Sequence, residues 1–358
     1  MPFATALIDT YNHQRFIEQA LVSAVEQDFP SDELEIIVVD DGSTDRTPEI
    51  VRKFAPRVRL IQKANGGQVS SFNAGVAKTN GQIIAFLDGD DWWERSKISR
   101  VVKAFEADPD VAAVGHGYYE VDDNGIVRGQ WTPDEGARLS LEMPALALKS
   151  TSLRIFLGTS RFSVRKSVLL RTLPIPPELP FFDNFVFSQA VAIGGAVLLR
   201  EPLCYYRVHS GSLYASQVAT EKRLRTRYTL LKALLDNLPE RLRSFAISDA
   251  AISAFLDFDR SEMQRLKLML QGGWPWETCR VEAMSYRQEY RNPDWRYRVF
   301  KGFVLLSTLL MPPKSFYRMR RWYSKQALRQ WREKLGHVSA VVPHVVRRPV
   351  EPAEPEAR

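Results

Sequence analysis

Over the first ninety residues, short apolar runs of strand length alternate with segments whose apolar residues recur at helical spacing. Residues 3–8 form such a run, ended by Asp9-Thr10-Tyr11-Asn12, and residues 15–27 then place Phe16, Ile17, Ala20, Leu21, Ala24 and Val25 on one helical face. The plan repeats. Residues 34–39 are β-branched and buried in pattern, Asp40-Asp41-Gly42-Ser43-Thr44-Asp45 follows, and a helix carries Ile50, Val51 and Phe54 with Pro48 in its first turn. A third strand at 58–61 leads into Asn65-Gly66-Gly67-Gln68 and a helix at 69–78, and residues 83–87 are the fourth strand. Strands and helices alternating at this spacing predict a mostly parallel α/β sheet, Rossmann-like, flanked by helices. Each strand ends in polar or acidic residues, and in such sheets ligands bind along the carboxyl edge.

The fourth strand carries the strongest chemical signal. Ile83-Ile84-Ala85-Phe86-Leu87 has no polar break, and Asp88-Gly89-Asp90-Asp91 follows at once. If the extended backbone persists through Asp90, strand alternation sets Asp88 and Asp90 on one face. Repulsion between two such carboxylates is relieved by Mg²⁺ or Mn²⁺, which completes its shell with water and phosphate oxygens. The competing reading has Asp90 or Asp91 cap a helix that starts near Trp92 and runs to 107.

The next hundred residues are less regular. Residues 111–121 read as a strand, and Asn124-Gly125 signals a hairpin before Ile126 and Val127. His116 on that strand reads as a packed or surface histidine. Residues 129–150 read as an irregular loop, and 157–164 as a turn and short strand. Four prolines between 174 and 180 forbid regular structure, after which Phe181-Phe182-Asp183-Asn184-Phe185 opens a helix that ends at Gly194-Gly195. Asp183, flanked by phenylalanines, either caps that helix or acts as a general base whose pKa desolvation raises. Two short strands at 197–199 and 203–208 lead to His209.

From about residue 217 the pattern becomes helical, at 223–238 and 247–270, with a break at Gly272-Gly273-Trp274-Pro275. An apolar stretch at 297–311 is interrupted by Lys301 and ended by Pro312-Pro313, too short to span a bilayer. Basic residues interleaved with Phe316, Tyr317, Trp322, Tyr323 and Trp331 follow. Two readings stand for 297–334: peripheral contact with an anionic membrane surface, or a helix packed on the domain with a solvated basic face. Residues 336–358 have the composition of a disordered tail. The organisation expected is a catalytic domain at 1–215, a helical region at 216–335 and that tail.

With 358 residues, a net charge of +7 and ordinary apolar content, the chain is long enough for one large domain or two smaller ones. The charge excess lies late in the chain, and no nucleic-acid-binding module accompanies it, so no nucleic-acid partner is expected. Cys204 and Cys279 have neither metal-ligand nor redox spacing, which suits a reducing compartment. Asp9 interrupts the first apolar run, unlike a signal peptide. A cytoplasmic location, peripheral at the inner face of the cell membrane, is the expectation.

Taken together, Ala6 to Asn12, Ile36 to Asp45, Asn65 to Gln68, Asn73-Ala74-Gly75 and Leu87 to Asp91 resemble, in order and spacing, the nucleotide-sugar domain of the family 2 glycosyltransferases, which have the GT-A fold. The likeness covers roughly residues 3–215. It implies transfer of a sugar from a UDP-, GDP- or dTDP-sugar to a saccharide or lipid-linked acceptor, with inversion, in polysaccharide, lipopolysaccharide or glycolipid assembly. It also implies roles for particular residues. Asp9, Tyr11, Asp40, Asp41 and Gln68 would border the nucleotide sugar, and Asp88 and Asp90 would hold the divalent cation and contact the donor. Asp183 would be the catalytic base, and His209 would touch metal or phosphate, with Arg207 a weaker candidate. The chain departs from the family at Asp9, where many members have proline, and at Phe182, where they carry a first acid. Two alternatives stand beside it: a nucleotidyltransferase, whose basic Gly-rich signature is missing after the first strand, and a catalytically silent nucleotide-sugar scaffold.

Overall fold

The computed structural model describes residues 2–134, 136–209, 221–289, 295–320 and 345–348. β1 (Ala4–Thr10) leads to α1 (Ile17–Val25), β2 (Leu34–Asp40) to α2 (Thr47–Arg52), and β3 (Arg59–Gln62) to α3 (Gln68–Val76), before β4 (Ile83–Asp88). These strands pair in parallel in the order β4-β1-β2-β3. Ile83 to Leu87 are all but inaccessible to solvent, as an unbroken apolar strand covered on both faces must be. The register is what matters for the site: Asp9 lies opposite Asp88, and Thr10 opposite Asp40.

The second half of the sheet is mixed. It comprises β5 (Trp92–Trp93), α4 (Lys97–Ala107), β6 (Ala113–Val121), β7 (Val127–Pro133), β8 (Arg138–Leu139), α5 (Pro144–Leu153), β9 (Phe162–Arg165), α6 (Lys166–Thr172), α7 (Asp183–Gly194) and β10 (Ala196–Arg207). β9 joins the halves by pairing antiparallel with both β4 and β6. β10 runs parallel to β6, and the Asp122–Ile126 turn, with Gly125 at φ +81°, closes the β6-β7 hairpin that its Asn-Gly predicts.

Several elements differ from the sequence expectation. The helix after Asp91 starts at Lys97, because Trp92 and Trp93 instead pair with Tyr205 and Cys204 of β10, and the Trp92 and Tyr205 rings stack at 4.7 Å. The loop expected over 129–150 is largely ordered, as the rest of β7, then β8 and the start of α5. Helical periodicity misses α5 because its buried residues Ala147, Ser150 and Leu153 include a hydroxyl, paired with the Ser140 backbone. The two short strands near 200 are one bulged strand, irregular around Pro202, which has no N–H to give the ladder.

α8 (Glu221–Ser244), α9 (Asp249–Gln271), α10 (Pro275–Glu289) and α11 (Trp295–Leu309) follow. Ser248 caps α9 by accepting from the Ala251 N–H, and Gly272, at φ +84°, ends it. Leu230, Leu234, Leu238, Leu242, Phe255 and Leu256 belong to the same buried cluster as the sheet, so the core runs on past residue 215. A smaller cluster of Leu268, Val281, Phe316 and Tyr317 holds the last helices together. The disorder expected over 336–358 does not extend to β11 (Val345–Arg348), which pairs antiparallel with the edge strand β7. An open edge offers unpaired backbone groups, and the Val345-Val346 pair suits a strand. The remainder of 336–358 lies outside the described residues.

Candidate active site

The carboxyl edge of β1, β2 and β4 gathers the acids. Because Asp9 and Asp88 are cross-strand partners, their side chains share a face, and each acts on the other's titration. Burial, with the charges of Asp90 and Asp41, pushes Asp9 up to about 7. Burial and the neighbouring charges of Asp9, Asp91 and Asp90 likewise raise Asp88 well above the carboxylate range.

β4 stops at Asp88. The Asp91 N–H donates to the Asp88 carbonyl, so Gly89 and Asp90 lie in a turn rather than in extended backbone, and strand alternation does not bring Asp90 to Asp88. The turn that follows β4 places Asp90 two residues on, near enough for its charge to raise Asp88. A Cβ at Gly89 would sit 2.7 Å from Thr10 Oγ1 and 2.8 Å from His13 Nδ1, which is why no side chain fits between the Asp residues.

Asp90 Oδ2 lies 2.9 Å from Nε2 of His209. Burial works against its charge, but the hydrogen bond to His209 and the nearby His13 and His209 rings outweigh it and hold Asp90 below the usual value. His209 packs on Phe16, 5.0 Å between ring centroids, and follows Arg207, whose backbone N–H donates to Asp91 Oδ1 (2.8 Å). The Arg207 guanidinium donates to the carbonyls of Asp90 (2.9 Å) and Asp123 (3.0 Å) and to Gln19 Oε1 (2.6 Å), and lies over the Phe16 and Trp92 rings. Arg207 is therefore a clamp beneath the site. Asp91, which burial pushes up to about 8, is an anchor for β10.

The nucleoside candidates fall into two kinds. Tyr11 projects at the end of β1, 44% exposed. Gln68, at the start of α3, donates from Nε2 to Asp88 Oδ1 (3.1 Å), while its Oε1 is buried with no partner among the described residues. Asp41 and Asp40 are instead engaged by their own loops. Asp41 accepts from Lys63 Nζ (2.5 Å) and from the N–H groups of Gly66 and Gly67, fixing the glycine turn. Asp40, fully buried, accepts from the Ser43 N–H and from Gln62. The loops after β1 and β2 are clasped: Asn12 N–H donates to Ser43 Oγ (2.9 Å), Thr44 N–H to Asn12 Oδ1 (2.8 Å) and Gln14 N–H to Asp45 Oδ2 (3.0 Å).

Asp183 begins α7 and accepts from the Asn184 N–H (2.6 Å). Phe182, buried before it, packs on Phe72 (4.0 Å) and Phe86 (5.3 Å), and Phe86 shares a face of β4 with Asp88. The helix start is thereby brought to the strand that bears the acids. Burial raises the Asp183 pKa, opposed by the Asn184 bond and the charges of Arg161 and Arg154. Arg161 also acts on Asp91, so its charge reaches both groups.

Sequence reasoning missed His13, Asp91, Ser160 and Arg161. Ser160 Oγ accepts from the Asp88 N–H (3.0 Å), and its carbonyl accepts from Trp93 Nε1 and the buried Lys97 Nζ (3.0 Å each). His13 lies four residues past Asp9 at the same strand end and Asp91 closes the acidic run, but neither position alone gives a role. His116 is the packed histidine expected of it, bonded to the Gly117 carbonyl at 2.7 Å.

The donor set suits a hard divalent cation. Asp88 and Asp90 offer oxygens, and the crowding of Asp9, Asp90 and Asp91 about Asp88 marks a place where positive charge is wanted. Among the described residues no three His, Cys, Asp or Glu side chains form a ready-made cage; Mg²⁺ sites of one or two carboxylates complete their shell from substrate phosphate and water.

The fold is that of the GT-A glycosyltransferases. Staphylococcus aureus TarS 1–349 aligns over 91% of this chain and 92% of its own with a TM-score of 0.54 at 19% identity, and its complex with UDP-GlcNAc aligns with a TM-score of 0.52 at 18%. Residues 5–170, just under half of the chain, match the family described as glycosyl transferase family 2, and that segment carries its domain. An uncharacterized glycosyltransferase of Nostoc sp. is 32% identical over 59% of this chain and 66% of its own length. Chondroitin synthase of Pasteurella multocida is 31% identical over 46% of this chain and 17% of its own. The chain thus spans only part of these relatives.

Proposed function

We propose that this protein transfers a sugar, with inversion, from a nucleoside-diphosphate sugar to a hydroxyl of a saccharide or lipid-linked acceptor, in the assembly of a cell-envelope polysaccharide or glycolipid. The observation that carries the reading is the pairing of Asp9 with Asp88 across the β1-β4 register, with Asp90 at the following turn. The TarS complex with UDP-GlcNAc and the likeness to chondroitin synthase support a nucleotide-sugar donor and a polysaccharide product.

Asp88 and Asp90, with His209 beside Asp90, would hold Mg²⁺ or Mn²⁺, which when bound neutralises charge on the departing diphosphate. Tyr11 is exposed to stack on the base, Asp9 and Gln68 face the donor beside Asp88, and Asp41 fixes the loop that borders it. Asp183 takes the proton of the acceptor hydroxyl as that oxygen forms its bond to the anomeric carbon. The bond from that carbon to the diphosphate oxygen breaks, and the diphosphate leaves with the electron pair. The raised pKa of Asp183 makes it the stronger base for this step.

The test is a panel of UDP-, GDP- and dTDP-sugars, read by thermal stabilisation and by sugar release with and without Mn²⁺. One nucleotide class should stabilise the protein in a metal-dependent manner, and Asp90→Ala should abolish the effect. If no nucleotide sugar stabilises the wild type, the donor site is misassigned. If binding is normal and no sugar is ever transferred or released, the chain is a binding scaffold.

A further inference from the structure

We infer that α11 carries a surface that docks on an anionic lipid leaflet. The helix has two opposite faces. Val304 and Met311 pack on the small cluster of Leu268, Val281, Phe316 and Tyr317, and Thr308 is fully buried. On the other side Val299, Phe303, Leu306 and Leu310, spaced by four, three and four residues, make one stripe at helical period, and all are exposed, Phe303 at 68% and Leu310 at 83%. Scattered exposed aliphatics are ordinary, but a contiguous stripe facing away from the core marks a partner. Trp274 and Trp276, 69% and 56% exposed, stand at the break before α10. They belong to the same end of the molecule, because the Lys314 stem passes beside Gly272. Indole side chains favour the boundary between lipid and water.

Charge decides which partner fits. From Trp295 to Arg332 the sequence has ten Lys and Arg and no Asp or Glu, and Arg320 among them is paired with Glu282 of α10. Lys314 and Arg318 are exposed just past the stripe, and residues 321–334, with the rest of the basic run, lie outside the described residues. An apolar stripe bordered by unbalanced positive charge matches a lipid surface with anionic headgroups. A second copy of this chain would set the same positive charges against each other. No helix among the described residues is long and apolar enough to cross a membrane, so the helix lies along the surface. Such docking would hold the transferase beside a lipid-linked acceptor, but it does not depend on the donor-site reading.

The test is cosedimentation of the full chain with vesicles of phosphatidylcholine alone and of phosphatidylcholine mixed with phosphatidylglycerol. The wild type should pellet with the mixed vesicles, far less with the neutral ones, and less at high salt. Phe303→Glu with Leu306→Glu should weaken that binding roughly tenfold or more, as should Trp274→Ser with Trp276→Ser, both with unchanged circular dichroism and melting temperature. Failure of the wild type to bind anionic vesicles would overturn the inference. So would a wild-type dimer that the Phe303/Leu306 variant converts to a monomer, since a second copy would then cover the stripe.

Discussion

Asp183 shows how one residue can be recognised by type yet need its surroundings to be given a role. In the sequence it is an acid between phenylalanines, equally able to cap a helix. In the structure the ring before it packs on Phe72 and Phe86, which ties the helix start to β4, the strand that ends in Asp88. Asp183→Asn should therefore lower kcat about 10²- to 10⁴-fold while leaving donor affinity, measured by calorimetry, unchanged. The base must be ionised to act, and burial raises its pKa from 3.8. Initial rates should rise with pH through that raised value and level off above it, and the wild-type acid limb should lie above pH 3.8. An acid limb unchanged in the residual activity of the Asn variant would assign it to another group. His13 and Asp91 were not legible, since one is a histidine in a turn and the other the last of three acids; only folding shows that the first flanks Asp90 and the second anchors Arg207.

At the scale of elements, the first four strands and the helices after the first three are where their periodicity puts them. Each is a short, mostly apolar run or a one-sided helix, and local pattern decides such cases. What pattern could not give was pairing. Trp92-Trp93 became a strand because β10 lay beside it, and the Asp9 to Asp88 alignment follows from register, a long-range property. Phe182→Ala tests the link between packing and chemistry: losing a buried ring packed against two others should cost about 3–5 kcal/mol in denaturant unfolding. Phe182→Leu should recover most of the stability and, if the ring aims Asp183, only part of kcat. Arg207→Met removes a clamp of three hydrogen bonds. It should destabilise by about 1–3 kcal/mol for each buried acceptor left unpaired, and it should weaken metal-dependent nucleotide binding as the His209 to Asp90 contact loosens.

For the molecule as a whole, the change in character near residue 217 reads as a boundary, and the packing crosses it. Leu234, Leu238, Phe255 and Leu256 lie in the same core as the sheet, and Arg154 on the catalytic side makes a paired bond to Asp259 on α9 at 2.6 and 2.7 Å. A chain ended after residue 209 would expose that core. It should be insoluble or show no cooperative melting on a scale where whole domains are stable by only about 5–15 kcal/mol. A soluble, cooperatively folded fragment would restore the boundary. Sequence could not reveal this, because a helix buries its stripe in the same pattern whatever it packs against.

The clasp between the β1 and β2 loops has a further consequence. Asn12, Gln14, Ser43, Thr44 and Asp45 lace the two rims into one piece before any nucleotide arrives. A rim already stitched shut acts as a fixed gauge rather than a closing hand: it loses little freedom on gripping a base of the right outline, and it has no slack with which to accommodate one of the wrong outline.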